Sequence, residues 1–192
     1  MVEIERHPLQ PFLPPNARLL MLGSFPPPKK RWCMDFFYPN RTNQMWNIFG
    51  LIFFGDENSL IDKSTNTFKQ SSIQTILEER GIAIYDTASA VRRLSGNASD
   101  KDLEVVEKTD IPALLTQIPQ CHDIVCTGQK SFSVLTEDYG VPVPAMGTYN
   151  EFNIFARPIR LWRMPSSSRA YPMPLAEKSK YYHEMMKTIG II

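Results

Sequence analysis

The stretch "ARLLMLGSFPPP" (17–28) decides the fold of this chain. Its first half is a short apolar run that ends at Gly23, a pattern typical of a strand buried on both faces. Its second half stops the strand with a glycine and three prolines, which fix the following backbone as a rigid turn. The stretch therefore predicts a central strand whose carboxyl end opens into a loop.

Apolar runs and helical patterns alternate along the rest of the chain. Strands are predicted at "IAIYD" (82–86) and "DIVCTG" (123–128), and extended chain at "FNIFARPIRLWRMP" (152–165). Helices are predicted at 43–54, capped by Asn43, and at 72–81, 110–119, 129–140 and 174–190. We expect "TASAVRR" (87–93) to be helix or turn, and 55–72 to be a loop with a short helical piece.

This alternation predicts a single α/β domain over residues 1–192. Its expected core is a mostly parallel sheet of four or five strands, with helices on both faces in a three-layer α/β/α arrangement.

Composition excludes several classes of protein. The chain has 192 residues, 43% hydrophobic, and a net charge of +1, so no global attraction to nucleic acid or membranes is expected. No apolar run reaches membrane-spanning length, and "MVEIERHPLQPFLPP" (1–15) does not resemble a signal peptide. The three cysteines form no C-x-x-C pair, which disfavours disulfides and metal sites. We expect a cytoplasmic protein without metal or cofactor, and nothing in the sequence indicates oligomerisation.

In sheets of this class ligands bind outside the carboxyl ends of the strands. Those ends are "GSFPPP" (23–28), "YDTAS" (85–89), "CTGQK" (126–130) and "RMPSSSR" (163–169), and "FFYPNRTNQMW" (36–46) follows the first. Asp86 either caps a following helix or lines the pocket floor. The histidines (His7, His122 and His183) lie away from all these ends in sequence, so imidazole acid–base chemistry is not expected.

Basic residues also gather near the expected crevice. Singly they read as solvated side chains, but their joint placement favours phosphate contacts. The set comprises "KKR" (Lys29, Lys30, Arg31), Arg41, "RR" (92–93), Arg157, Arg160, Arg163 and Arg169. The turn at 23–28 is either purely structural or a nest of backbone N–H groups that binds an anion.

Four motifs in order resemble the uracil-DNA glycosylase superfamily, closest to its hypoxanthine-DNA glycosylase branch and mismatch-specific relatives. The resemblance spans roughly residues 17–186. The motifs are "GSFP" (23–26), followed by Tyr38 and "NQMW" (43–46); "IAIYDTASAVRR" (82–93); "CTGQK" (126–130); and "MPSSSRA" (164–170), here called the serine loop.

The resemblance implies removal of a deaminated base, hypoxanthine or uracil, that is flipped out of DNA into a pocket. It implies that Asn43 is catalytic, by orienting water or hydrogen-bonding the base. The implied base-binding residues are Gly23, Ser24, Phe25, Pro26, Phe37, Tyr38 and Asp86. The implied DNA contacts are Lys29, Lys30, Arg31, Arg41, Lys130, Arg163, Pro165, Ser166, Ser167, Ser168 and Arg169.

The chain departs from the superfamily at three positions. Phe25 stands where many members have a water-activating Asp or Asn, Met164 where many have His, and Arg169 where Pro is usual. The departure at Phe25 is shared with the hypoxanthine branch. The departures at Phe25 and Met164 together favour an easier leaving group such as hypoxanthine. Two alternatives stay open, a catalytically weak DNA-binding member and a hydrolase of free nucleosides.

Overall fold

The computed structural model describes residues 3–94 and 102–192. Its strands are β1 Ile4–Arg6, β2 Leu19–Gly23, β3 Ile61–Asp62, β4 Thr67–Phe68, β5 Ile82–Asp86, β6 Ala88–Arg93, β7 Leu103–Lys108, β8 Asp123–Cys126, β9 Tyr149–Ile154 and β10 Arg157–Arg163. Its α-helices are α1 Met45–Phe54, α2 Gln70–Arg80, α3 Ile111–Gln117, α4 Gln129–Tyr139 and α5 Leu175–Ile189.

The centre of the fold is a mixed five-stranded sheet in the order β5-β2-β8-β10-β9, flanked by helices. The first four strands are parallel, and β9 pairs antiparallel with β10. Every residue of β2 is buried, as is typical of an interior strand of a parallel sheet. The predicted mostly parallel sheet is confirmed, with β2 as an interior strand between β5 and β8.

The extended stretch 152–165 is a hairpin rather than one strand. Strands β9 and β10 meet at a turn where Phe155 adopts a positive φ of 53°. The hairpin supplies both the last parallel strand and the antiparallel edge of the sheet.

A second, antiparallel sheet was not predicted. It has the order β1-β6-β7, and β6 occupies the stretch that the sequence assigned to helix or turn. Ala88, Ala90 and Val91 are buried while Ser89 and Arg92 are more exposed, so the segment shows the alternation of a half-buried strand. The prediction of helix or turn at 87–93 is wrong, because the small residues Ala and Ser do not show a clear alternation of apolar and polar side chains.

Two further boundaries differ from the sequence prediction. The polar stretch 55–72 contains the short β3–β4 hairpin, closed by Asn66 at φ 53°, and its only helical part is the start of α2. Helix α1 begins at Met45 instead of Asn43; the Asn43 Oδ1 atom accepts the Met45 N–H at 2.9 Å, ahead of the cap position.

The other helices agree with their sequence signals. Asp110 caps α3 by accepting the Ala113 N–H at 3.0 Å, and Gly81, Gly140 and Gly190 end their helices in the left-handed conformation. Within residues 3–94 and 102–192, no helix has the length and apolar character needed to cross a membrane.

Candidate active site

The four strand ends predicted to form a crevice lie along one edge of the sheet. Gly23 is in register with Asp86, Leu22 with Cys126, and Cys126 with Arg163. Parallel strands are spaced about 4.8 Å apart, so β5 to β10 span on the order of 14 Å at this edge. The edge formed by these strand ends, here called the crevice, therefore runs from Asp86 to the serine loop.

Gly23 is required by the close approach of a carboxylate. A Cβ placed on Gly23 would lie 2.2 Å from Asp86 Oδ1 and 3.8 Å from the Tyr38 hydroxyl. The φ of Gly23 is not positive, so its role is to leave space. The missing side chain lets the carboxylate and the phenol approach the end of the central strand.

His7 contacts this carboxylate, contrary to the sequence expectation. Its Nε2 lies 2.8 Å from Asp86 Oδ2, and its Nδ1 lies 3.1 Å from the Leu9 amide nitrogen and 2.9 Å from the Leu9 carbonyl oxygen. In both the neutral Nε2–H tautomer and the imidazolium form, Nε2 donates to the carboxylate. The expectation that no imidazole reaches the site is wrong, because the N-terminal segment folds back across the strand ends.

Asp86 is therefore neither a helix cap nor a surface acid. No helix follows it, and only 7% of the residue is exposed. Its Oδ1 has no hydrogen-bond partner among the described residues. Every polar side-chain atom of those residues that is fully shielded from solvent does have a partner. Oδ1 consequently keeps contact with solvent and is free to accept a hydrogen bond from a ligand.

Tyr38 is held rigidly at the end of β8. Its hydroxyl lies 2.7 Å from Thr127 Oγ1, and its ring meets Trp46 edge-on at 5.9 Å between centroids. Burial raises the pKa of Tyr38 well above its ordinary value, so the phenol is neutral at physiological pH. The residue has a positive φ of 50°, which is uncommon for a bulky side chain and marks a constrained turn.

The two phenylalanines expected at the base pocket lie in apolar packing. Phe37 is 3% exposed and packs against Phe36 and Tyr85. Phe25 is 8% exposed, belongs to the cluster of Ala88, Val91 and Leu103, and meets the His7 ring edge-on at 5.3 Å. Both rings pack beside the His7–Asp86 pair.

The loop after β2 offers unpaired donors. The carbonyls of Gly23, Ser24 and Pro26 accept bonds from Thr87, Ala88 and Arg93. Among the described residues, however, the N–H groups of Ser24 and Phe25 have no hydrogen-bond partner. Neighbouring unpaired amides at a strand end are suited to bind a negative atom.

Asn43 lies at the other end of the crevice, beside the serine loop. It forms an isolated antiparallel bridge with Ser168, and the Gln44 N–H donates to the Ser167 carbonyl at 2.8 Å. Because its Oδ1 is used by the Met45 N–H, the part of the carboxamide left for a ligand is the NH₂ group, which has no partner among the described residues. Asn43 is thus a fixed hydrogen-bond donor.

The serine loop is anchored near its start and exposed near its end. The Tyr182 hydroxyl donates to the Pro165 carbonyl at 2.9 Å, and Ser167 is buried. Ser166 is half-buried, and Ser168 and Arg169 are exposed. The loop can present its outer residues to a large ligand without losing its shape.

The basic cluster is smaller than the sequence suggested. Arg157 begins β10 and donates to the Leu115 and Ile118 carbonyls. Arg160 is in register with Asp123, the first residue of β8, and pairs with it, so both arginines lie away from the carboxyl ends of the strands. Arg92 and Arg93 pair with Glu104 and Glu5. The expectation that Arg157 and Arg160 line the ligand side is wrong, because they lie toward the amino ends of the parallel strands. Arg93 also donates to the Pro26 carbonyl and so lies beside the turn at 23–28.

The remaining basic residues have mixed environments. Lys29 pairs with Asp35 and lies over the Trp32 ring, Arg41 lies over the Phe68 ring, and Arg163 donates to the Pro144 carbonyl. Lys30 and Arg31 are exposed, and Lys130 is half-buried in the first turn of α4.

Sequence reasoning missed three residues at or below the site: His7, Thr127 and Lys178. His7 precedes the first long element, where no periodic pattern places it. Lys178 did carry a signal, because it shares a helical face with Tyr182, Met185 and Met186, all of them buried. Across the described residues, no cluster of three or more His, Cys, Asp or Glu side chains is arranged to hold a metal ion.

Comparison with known proteins identifies a shared fold. No protein-family profile and no curated protein matches the chain. Among the solved structures that match is the solution NMR structure of a protein from Methanosarcina acetivorans described as a "putative Uracil DNA glycosylase". The TM-score is 0.64, with 19% sequence identity over 98% of this chain and 99% of that chain. At this identity the likeness establishes the fold alone.

Proposed function

We propose that this protein is a monofunctional DNA glycosylase that hydrolyses the N-glycosidic bond of a deaminated base, hypoxanthine or uracil, flipped out of DNA. The observation that carries the proposal is the free NH₂ group of Asn43, fixed by Met45 and Ser168 at the strand-end crevice. The shared fold with a protein described as a "putative Uracil DNA glycosylase" supports the reaction class.

The chemistry needs donors on the leaving base. As the C1′–N bond breaks, the base takes the electron pair and becomes negative, the sugar becomes positive, and water adds to C1′. Asn43 and the unpaired N–H groups of Ser24 and Phe25 are suited to stabilise the negative base. The base then takes up a proton, and neither a cofactor nor a metal is required.

Asp86 is suited to read the base edge. Its free Oδ1 accepts a hydrogen bond, and both hypoxanthine and uracil carry a ring N–H that donates one. His7 holds the carboxylate in place through Oδ2. Gly23 leaves room beside it. We propose that Tyr38 and Pro26 line the base pocket, with the buried rings of Phe25 and Phe37 packed behind them.

DNA is proposed to lie across the serine loop and the exposed cations. Ser166, Ser167, Ser168 and Arg169 with Pro165 would contact the backbone near the flipped nucleotide. Phosphate contacts would come from Lys29, Lys30, Arg31, Arg41, Lys130 and Arg163. We further propose that residues 1–192 form a single three-layer α/β/α domain that acts as a cytoplasmic monomer.

The proposal is tested with labelled duplexes and single strands that contain deoxyinosine or deoxyuridine, incubated with excess protein and then cleaved with alkali at abasic sites. We expect cleavage at the modified position and none in unmodified DNA. Asn43→Ala should lower the single-turnover rate by about 10²- to 10³-fold, the usual cost of removing one such donor.

The matched control is Asn47→Ala. Asn47 lies on α1, and its side chain donates to the Glu57 carbonyl, away from the crevice. Its loss should leave the rate unchanged. Absence of product on all substrates, or full activity of Asn43→Ala, would contradict the proposal.

A second candidate function is DNA binding with little or no catalysis. It is favoured by Phe25, which is buried in the Ala88–Val91–Leu103 cluster and places no polar group where many superfamily members activate water. Salt-dependent binding to these duplexes without product would support it. Release of hypoxanthine from free deoxyinosine, without action on DNA, would instead indicate a nucleoside hydrolase.

A further inference from the structure

Lys178 is a buried lysine that neither the sequence motifs nor the proposed chemistry uses. It lies on α5 with 0% of its surface exposed. Its Nζ donates to Gln44 Oε1 at 2.8 Å and to the Ser168 carbonyl at 2.7 Å. Its ammonium therefore joins two segments that are more than 120 residues apart in sequence.

Both bonds end beside Asn43. Gln44 is the next residue, and Ser168 is the residue that bridges to Asn43. The Gln44 N–H also donates to the Ser167 carbonyl. A single ammonium thus fixes the register between the Asn43–Gln44 segment and the serine loop, while Tyr182, one helical turn further on α5, holds the loop at Pro165.

The environment of Lys178 is unusual for a structural lysine. Among the described residues no carboxylate pairs with it, and its nearest aromatic ring, Tyr171, lies 5.7 Å from Nζ. Burying a charge without a counter-charge is costly, and here burial lowers the pKa of Lys178. Among the described residues, the cost of burying this charge is offset by two neutral acceptors and the Tyr171 ring alone.

We propose that Lys178 is a positioning residue of the candidate active site, which holds the Asn43–Gln44 segment and the serine loop in one fixed arrangement. The inference rests on the proposed function for its catalytic consequence. Its structural consequence is independent of any activity.

The structural consequence is tested by amide hydrogen exchange on Lys178→Met. The amides of Gln44, Ser168 and Tyr171, which donate to the serine loop, should exchange about tenfold faster or more, because hydrogen bonds to charged groups are among the strongest. Buried amides of β2 and β8 should keep their protection. Lys180→Met, an exposed lysine on the same helix, is the matched control and should change neither set.

Gln44→Met provides a second variant that leaves the lysine intact. It removes one of the two acceptors and should accelerate exchange of the Ser168 and Tyr171 amides in the same direction. If Lys178→Met does not fold, this variant decides the question. Unchanged protection in the serine loop of Gln44→Met, or a uniform loss across the whole protein in both variants, would overturn the inference.

The catalytic consequence is a separation of rate from binding. With a cleaved duplex, Lys178→Met should lower the saturating single-turnover rate about tenfold or more and shift the DNA concentration for half-saturation less. A reduced affinity with an unchanged saturating rate would overturn the positioning role. If no duplex is cleaved by the wild-type protein, the proposed function fails while the exchange result still decides the role of Lys178.

Discussion

The substitution Gly23→Ala tests the geometry of the crevice without reference to activity. The added methyl would lie 2.2 Å from Asp86 Oδ1, much closer than any ordinary contact, and 3.4 Å from Asp86 Cγ. Asp86 must therefore move, and its 2.8 Å contact with His7 Nε2 must lengthen or break. Since the backbone of Gly23 is not in the left-handed region, the effect is steric.

The expected cost can be worked from these contacts. Overpacking of a buried site costs about 1–3 kcal/mol, and loss of a hydrogen bond to a charged group about 1.5–3 kcal/mol. Because partial relaxation avoids paying both in full, we expect the free energy of unfolding to fall by about 2–4 kcal/mol. For a chain of this length each kcal/mol lowers Tm by about 2–4 °C.

The assay is urea unfolding of a double-mutant cycle with Asp86→Ala. Without the Asp86 carboxylate, the methyl group added by Gly23→Ala has no steric clash. The further loss in free energy of unfolding that Gly23→Ala causes in that background should therefore fall to about 0.5 kcal/mol or less. Equal costs of Gly23→Ala in both backgrounds would refute the assigned contact between Gly23 and Asp86.

Two further predictions concern the residues that hold the crevice. His7→Ala should lower the free energy of unfolding by about 1–3 kcal/mol, because it leaves Asp86 Oδ2 without its donor. This loss should largely vanish in an Asp86→Ala background. An unchanged urea midpoint in His7→Ala would argue against the contact. The Tyr38 pKa is raised above the ordinary 10.0, so the folded state resists ionisation of this phenol and stability contributed by it is lost as pH rises past that value. Tyr38→Phe should therefore weaken the alkaline fall in urea midpoint, and an identical alkaline profile would contradict the burial of Tyr38.

The sequence was sufficient for the central sheet because its strands are buried on both faces. Runs such as 17–23 and 82–86 are apolar without interruption, and glycine or aspartate ends them clearly. The helices with a cap or a terminal glycine were equally clear, as at Asp110 and Gly140. Local signals were thus enough to predict the strands of a mostly parallel sheet flanked by helices.

The antiparallel sheet and the His7–Asp86 contact could not be predicted in the same way. In β6 only Val91 has high β propensity, and the other residues are Ala, Ser and Arg, so its pairing with β1 and β7 supplies the stability. His7 reaches Asp86 only because β1 pairs with β6 and carries the N-terminal segment over the strand ends. Such contacts depend on tertiary pairing, which no local pattern encodes.

The structure brings some of the residues predicted for the candidate site together and places others elsewhere. Asn43 and the serine loop lie together as the motif order implied, through the bridge to Ser168. Arg157 and Arg160 were misplaced because their charge was read without the direction of β10. Lys178 suggested the proposed positioning role because it is a charged residue on a buried helical face, a more informative signal for this site than the cluster of exposed cations.

The central claim is tested most directly by detecting the free base itself. Excess protein is incubated with a deoxyinosine duplex and, separately, a deoxyuridine duplex, and the small-molecule fraction is analysed by mass spectrometry. The account predicts stoichiometric release of hypoxanthine or uracil with an intact, abasic strand from the wild-type protein, and release at least about 10²-fold slower from Asn43→Ala. Equal release by both proteins, or no free base from either duplex, would contradict it.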